Sequence, residues 1–474
     1  MATKKDLTEA YAFSRRRLVT AFVSGAPGGR EVEPARPGRT IVGGLALAVL
    51  LVAGAAVAGI FSPRVDPTWA DEPGLIISKE SGAAYVITAV EEGQEPVLRP
   101  VINITSAKLI LGAEATPDII PDEYIDQEQR GDDIGILGAP ANVPATDRLV
   151  DDGWTACTDP SMGLRLDVSA RPEVEPVEGG GLLVQVQKDG DDAVFVIADA
   201  AGDDLQTPRA SSYRVPASRG RDNLLGALGL PEAASASVVP EEWLALFPPG
   251  GDLTRAAFDL DSVGSPADYA RSLPGLGDAR VGDLVSTPSE QLLLTEEGPV
   301  TLTEFAQAVY ANSGRQPRVV ELEAPPKLVR QDPPYAEAAW PTGSVTPVPG
   351  QLCAQLVAAA GERPGVRIVQ NPTGDASAEL APLGHRAPTV DEGAGAYVLS
   401  GGWDQTVGGE PYLVDPKGQR YPLVGPDTAD RLGYGEYAVP NVPDSWMELF
   451  REGVALSENQ ALCPPRLDEG EPCD

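Results

Sequence analysis

The segment that most restricts what this chain can become is Ile41–Phe61, IVGGLALAVLLVAGAAVAGIF, a run without a single charge. As a helix it spans roughly 30 Å, the thickness of a bilayer core. Arg36 and Arg39 stand before it, and Pro63, Asp66, Asp71 and Glu72 follow. Basic flanks are retained in the cytoplasm, so the sequence predicts a cytoplasmic tail over 1–40, a transmembrane helix over 41–61, and everything after it outside. A cleaved signal would carry a shorter apolar stretch with a small-residue cleavage site close behind. A twin-arginine signal would hold its arginines near that stretch, whereas Arg15-Arg16-Arg17 lie well upstream of Ile41. The expectation is an uncleaved anchor. Small residues four apart, Gly44 with Ala48 and Ala55 with Gly59, allow close packing against another helix.

Charge divides at the same place. The tail carries eight Lys/Arg (Lys4, Lys5, Arg15, Arg16, Arg17, Arg30, Arg36, Arg39) against Asp6, Glu9, Glu31 and Glu33, while the whole chain has a formal charge of −34. The outer part is therefore strongly acidic, which excludes nucleic acid as its partner. In the tail, Leu7, Tyr11, Ser14, Leu18 and Phe22 recur at helical spacing beside Arg15, Arg16 and Arg17. A basic amphipathic helix of this kind lies on anionic lipid or docks on a protein, so Arg15, Arg16, Arg17 and Phe22 are the candidate cytoplasmic contact. The blander role for the same charges is to set topology. Gly25–Gly38 reads as a flexible linker.

The outer region repeats itself. Leu228-Gly229-Leu230 is followed by Val239-Pro240-Glu241-Glu242-Trp243, and Leu432-Gly433-Tyr434 by Val442-Pro443-Asp444-Ser445-Trp446. Near the start, Leu111-Gly112 precedes Ile120-Pro121-Asp122-Glu123-Tyr124. The shared word is apolar-Pro-acid-x-aromatic after a Leu-Gly pair, and it reads as structural: the proline opens a helical turn and Trp243 and Trp446 are buried. Upstream of each word lie paired short strands, around Ser81-Gly82, around Lys188–Asp192 and around Pro416-Lys417-Gly418. Gly282–Asn312 reads as a diverged further copy. Between the copies, Trp154–Pro176 and Gly350–Val390 each hold one cysteine, Cys157 and Cys353, which can pair to make one central domain.

The expected fold class is α+β: one N-terminal transmembrane helix, then an elongated extracytoplasmic region of about four strand-plus-helix modules around a central β-rich domain. The modules are placed at 62–140, 179–258, 275–324 and 396–474, the last including a C-terminal tail, with the central domain at 141–178 and 325–395. Such periodicity suits a scaffold better than an enzyme pocket.

Catalytic chemistry is hard to find. His385, the one histidine, sits in a Gly/Pro-rich loop, so a multi-histidine metal site cannot form and a Ser/His triad has one candidate. The Gly-Lys-Ser/Thr core of a phosphate-binding loop is absent, as is a Gly-x-Ser-x-Gly elbow. With 70 acidic residues, no single carboxylate pair is informative. Asp189-Gly190-Asp191-Asp192 is as well explained by a turn as by a cation. Cys157, Cys353, Cys463 and Cys473 suit disulfides in an oxidising compartment rather than zinc, and four cysteines allow three pairings. No catalytic residue, cofactor or metal is assigned.

The layout resembles the EccB family, the bitopic component of the type VII (ESX) secretion machinery of actinobacteria. The residues that carry the resemblance are Phe13-Ser14-Arg15-Arg16-Arg17 before the anchor, Asn103 to Gly112 (NITSAKLILG), Arg130-Gly131 through Gly135-Ile136-Leu137-Gly138-Ala139-Pro140, and Trp154-Thr155-Ala156-Cys157. The resemblance implies a structural subunit forming the periplasmic part of an inner-membrane complex. Its implied partners are EccC-, EccD- and EccE-like subunits, a MycP-like protease and further copies of itself. It also implies a Cys157–Cys353 disulfide, which leaves Cys463 with Cys473 as an addition near the C-terminus. Proteins of this kind have been described as ATPases. That activity, and a cell-wall-binding anchored module, are the alternatives to the structural role.

Overall fold

The computed structural model describes residues 3–24, 44, 47–49, 65–66, 68–88, 97–159, 163–188, 191–200, 209–335, 339–371, 381–382 and 384–465. The chain divides into two units, Met1–Trp69 and Ala70–Asp474.

In the first unit, Lys4–Ser24 is one α-helix. Its start is fixed by Asp6, whose carboxylate accepts the Thr3 amide at 3.0 Å and the Thr3 hydroxyl at 2.6 Å. Ile41–Phe61 lies outside the described residues except for Gly44 and Leu47–Val49, and among the described residues no helix is long and apolar enough to cross a membrane.

Among the described residues the second unit contains five sheets. The first holds β1 (Gly74–Ser78), β2 (Ala84–Ile87), β3 (Val97–Pro100), β4 (Pro117–Ile120) and β5 (Gln129–Arg130), in the order β4-β1-β2-β3-β5. Strands β6 (Thr155–Thr158), β7 (Leu164–Val168) and β8 (Glu175–Pro176) belong to a central sheet. Next come β9 (Gly180–Lys188), β10 (Asp191–Asp199), β11 (Ala210–Val215), β12 (Ser237–Val238) and β13 (Pro249–Asp252), in the order β12-β9-β10-β11-β13. The third such sheet, β14 (Leu284–Ser286), β15 (Gln291–Leu294), β16 (Pro299–Leu302) and β17 (Val319–Glu321), runs β16-β15-β14-β17. The chain then pairs β18 (Thr346–Pro347) with β9 and returns to the central sheet as β19 (Leu352–Val357), β20 (Gly365–Gln370) and β21 (Arg386–Val390). The last sheet is β22 (Ala396–Gly401), β23 (Glu410–Val414), β24 (Gln419–Pro422), β25 (Asn441–Pro443) and β26 (Arg451–Glu452), in the order β25-β22-β23-β24-β26.

Apart from the central sheet, these follow one plan. Three antiparallel strands are followed by a helix, and the chain then adds a parallel strand beside the first. A second parallel strand beside the third completes the first, second and last sheets. In the third, that place is held by a single parallel bridge, Val300 to Gln331.

The Leu-Gly pair of each copy is the helix stop. Helix Ile104–Leu111 ends at Gly112 (φ 96°), and helix Thr428–Leu432 ends at Gly433 (φ 94°), with Gly229 (φ 87°) just past helix Arg221–Ala227. Side chains avoid this left-handed region, so glycine is required there. The prolines of the shared word, Pro121, Pro240 and Pro443, cap the short turns Asp122–Ile125, Glu241–Leu244 and Asp444–Met447.

The helices pair the sheets two by two. Helix Ile104–Leu111 of the first packs on Thr428–Leu432 and Glu458–Ala461 of the last, and Arg221–Ala227 of the second packs on Glu304–Asn312 of the third. Buried cores follow suit: Leu109, Ile136 and Val143 join Tyr397, Leu413, Leu432 and Tyr434, while Leu224, Leu225 and Leu228 join Phe305, Val309 and Tyr310.

Candidate assembly site

The central sheet, in the order β21-β7-β6-β19-β20-β8, is drawn from two segments far apart in sequence. Strands β6 and β19 run antiparallel with Cys157 opposite Cys353, and the two sulfurs are bonded. Cys353 is fully buried. Cys463 is also disulfide-bonded, while Cys473 lies outside the described residues.

Against this sheet three tryptophans come to rest, all fully buried: Trp154, Trp243 and Trp446. Each indole satisfies its N–H on a carbonyl. Trp154 donates to Val150 (2.9 Å), Trp243 to Ala156 in β6 (3.1 Å), and Trp446 to Leu246 (3.4 Å). The last bond joins the last copy of the word to the second. Phe450 sits edge-on to Trp154 with centroids 5.4 Å apart, and Phe247 edge-on to Trp243 at 5.1 Å. Arg386, on β21, donates to the Glu448 carbonyl and reaches the Glu242 carboxylate (3.2 Å), so one guanidinium holds both words. A second arginine closes the outer pair: Arg431 donates to the carbonyls of Leu109 (3.2 Å) and Ile110 (2.9 Å), and pairs with Glu458 (2.7 Å). It thereby fills carbonyls left open at the end of the first copy's helix.

Burial shifts several polar groups of the body. Burial holds Tyr421 above the usual phenol range, and neighbouring Asp415, to which its hydroxyl donates, adds to the effect. Burial pushes the Tyr335 hydroxyl up to about 12, within a cluster of Phe258, Tyr310 and Trp340. Burial raises Asp199 despite the Gly179 amide and Arg367. No group of three His, Cys, Asp or Glu side chains able to hold a metal occurs among the described residues. His385 is exposed beside β21. Asp189 and Gly190 lie outside the described residues.

In the first unit, Arg15, Arg16, Arg17 and Phe22 all stand exposed on helix Lys4–Ser24. Phe22 is the most exposed of its large apolar side chains at 92%. Arg386, Arg431 and the Phe258 cluster carry no local pattern in the sequence. Their partners are all distant in the chain, which only the fold reveals.

Such a construction defines an α+β protein of several sheets, in which the recurring turns of the second and last sheets pack against a central one. The chain belongs to the EccB family, described as type VII secretion system ESX-1, transport TM domain B, whose profile matches residues 1–465. It is similar to the ESX-1 secretion system ATPase EccB1 of Mycolicibacterium smegmatis (strain MKD8), with 26% identity over 90% of this chain and 87% of that protein. It resembles the ESX-3 secretion system ATPase EccB3 of Mycolicibacterium smegmatis (strain ATCC 700084 / mc(2)155) to the same degree, over 91% of this chain and 85% of that protein. Among solved structures, its fold is similar to a chain of an intact ESX-5 inner membrane complex (TM-score 0.58, 21% identity, 100% of this chain and 97% of that one). It is also similar to a chain of the EccB3 dimer from the ESX-3 core complex (TM-score 0.59, 20% identity, 82% of this chain and 100% of that one).

Proposed function

We propose that this chain is a structural subunit of a type VII (ESX) secretion membrane complex and builds its periplasmic part. The observation that carries this reading is the family match over 1–465, joined to a shared fold with chains solved inside ESX inner membrane assemblies. Residues 1–40 form its cytoplasmic tail, 41–61 its single span, and the rest its periplasmic body. The apolar run with basic residues before it and acidic ones after it supports that topology. The body is read as four modules around the central sheet, which the common strand order of four sheets supports. In this reading Arg15, Arg16, Arg17 and Phe22 meet cytoplasmic partners. EccC-, EccD- and EccE-like subunits, a MycP-like protease and further copies of the chain complete the assembly.

The test is detergent extraction of the tagged full-length chain, native electrophoresis, and mass spectrometry of what travels with it. A large species containing an EccC-like motor and an EccD-like subunit is expected. A chain that runs alone from membranes holding those subunits would refute the role. In spheroplasts, a tag before Lys4 should survive external protease that digests the body. A mature N-terminus near Trp69 would instead reveal a cleaved signal.

A further inference from the structure

The shared word appears three times and serves two different ends. In the second and last sheets its aromatic is consumed inside the molecule, with Trp243 and Trp446 at 0% exposure. In the first sheet the turn itself is kept intact. Pro121 opens it, and Asp122 accepts the hydroxyl of Ser78 on β1 just as Asp444 accepts that of Ser400 on β22 (2.5 Å). What differs is the chemistry it presents. Tyr124 is 38% exposed, and Ile119 on the edge strand β4 is 64% exposed. Where the other copies continue with Leu246-Phe247 and Leu449-Phe450, the first continues with Gln127-Glu128.

The surroundings are predominantly acidic. Glu114, Asp118, Glu123, Asp126, Asp132 and Asp133 are exposed within this stretch. The one basic side chain of the stretch, Arg130, is already paired with Asp126, and exposed Lys79, whose amide donates to the Ile120 carbonyl, is followed by exposed Glu80, whose carboxylate accepts the Asp122 amide. An apolar anchor with an acidic rim repels a second copy of itself and an anionic surface alike, and it complements a cationic partner. Tyrosine at the centre of a polar rim is also the composition of interfaces that form between separate chains.

We propose that Ile119 and Tyr124, held on the first module's turn, are the anchor of a docking surface for a positively charged segment of a different protein. The first module keeps the turn that its sister modules use for internal docking and turns it outward, with the Leu-Phe of the internal version replaced by polar residues that tolerate water. This rests on the reading of the chain as one piece of a larger envelope assembly, and names where one partner sits.

The experiment places a benzoylphenylalanine cross-linker at position 124 of the full-length chain in its own membrane, with a matching probe at exposed Val424 as control. The adduct at 124 is expected to map to a Lys/Arg-rich segment of another protein. Its yield is expected to fall at least fivefold with Asp118→Lys and Glu123→Lys together, the Val424 background being unchanged. An adduct with a second copy of this chain, an adduct indifferent to charge reversal, or no adduct overturns the proposal. Native electrophoresis of the same preparation separates the two readings: an intact complex without the adduct sinks the docking surface alone, whereas absence of the complex sinks the assembly role as well. Tyr124→Ala should leave the melting temperature of the body within about 1 °C, since exposed side chains contribute little to folding. A collapse of stability would show Tyr124 to be a packing residue and would also overturn the proposal.

Discussion

Removing the central cross-link should weaken the body measurably, and the size of the effect follows from the chain. Cys157 and Cys353 are 196 residues apart in sequence. Closing a loop of that length removes denatured-state entropy equivalent to about 5 kcal/mol at 25 °C in the chain-entropy model. The figure is an upper value, because real denatured chains retain structure and bury part of their surface. Replacing both cysteines by alanine is the cleaner perturbation, since serine would place a hydroxyl at the fully buried position 353. The opposed strands keep their neighbours, as Ala156 pairs with Ala354 and Leu352 with Thr158 on either side of the bond. For a body of this size, unfolding entropy of about 2 cal/mol/K per residue converts 5 kcal/mol into a drop in melting temperature of roughly 6 °C. Scanning calorimetry of residues 70–474, wild type against the Cys157→Ala/Cys353→Ala pair, measures it, and peptide mapping without reductant verifies the bond in the parent. A shift below about 1 °C in a cooperatively unfolding body would refute the argument that the bond ties the two segments of the central sheet in the unfolded chain.

Four further outcomes are expected. Trp446→Ala removes a fully buried indole and its bond to Leu246, and should cost about 3–5 kcal/mol in denaturant titrations of the body. Replacing Arg15, Arg16 and Arg17 by Glu should lower the yield of the membrane complex while the body melts normally; full yield with unchanged topology would reduce the cluster to an orientation signal. Purified residues 62–474 should show no ATP turnover above background, because no glycine-rich loop with a lysine is available to hold the β- and γ-phosphates; a turnover abolished by a point substitution in this region would reverse that reading. Asp199→Asn should raise the melting temperature at pH 7 and converge with the parent in acid. Burial lifts the folded-state pKa of Asp199, so the parent's stability is fullest below the ordinary carboxylate pKa and declines as pH rises through the folded value.

What the sequence showed well was local. Ser81-Gly82 and Pro416-Lys417-Gly418 mark hairpins because a positive φ is needed there, and Gly82 and Gly418 both sit at 71°. The Leu-Gly pairs announce helix ends for the same reason. The word apolar-Pro-acid-x-aromatic announces a capped turn, and its tryptophans are buried as their size suggests. Tyr124 breaks that expectation. The spacing makes it equivalent to Trp243 and Trp446, yet its exposure depends on what lies opposite, and no one-dimensional pattern carries that. The segment after the second sheet was similarly opaque. Ala267, Ala270, Leu276 and Ala279 pack on Val285, Leu292 and Leu294, covering the face of the third sheet away from its helix. Only Ala270 lies in a short 3-10 turn, Asp268–Ala270, and Ala267, Leu276 and Ala279 lie in irregular chain, which carries neither a period of two nor of 3.6, so no element could be read there.

The same contrast bears on why this body suits a structural task. The first and third sheets keep small clusters of their own, but the larger cores under the helices are shared between sheets. The first sheet's helix is completed by helices of the last, and the second's by the third's, so these two cores are assembled from chain segments far apart in sequence. The central sheet is likewise built from strands on either side of the second and third sheets. Arg386 and Arg431 act at those junctions rather than within modules, each answering two partners at once. A load on one module is therefore carried into the next through buried side chains instead of a flexible connector. Deleting a single module would expose the apolar face of its partner, so truncations at the sheet boundaries should yield aggregation-prone fragments rather than smaller folded bodies. A protein that must hold its shape while a transport machine works around it gains from this arrangement, because local opening of one module is opposed by the packing of two.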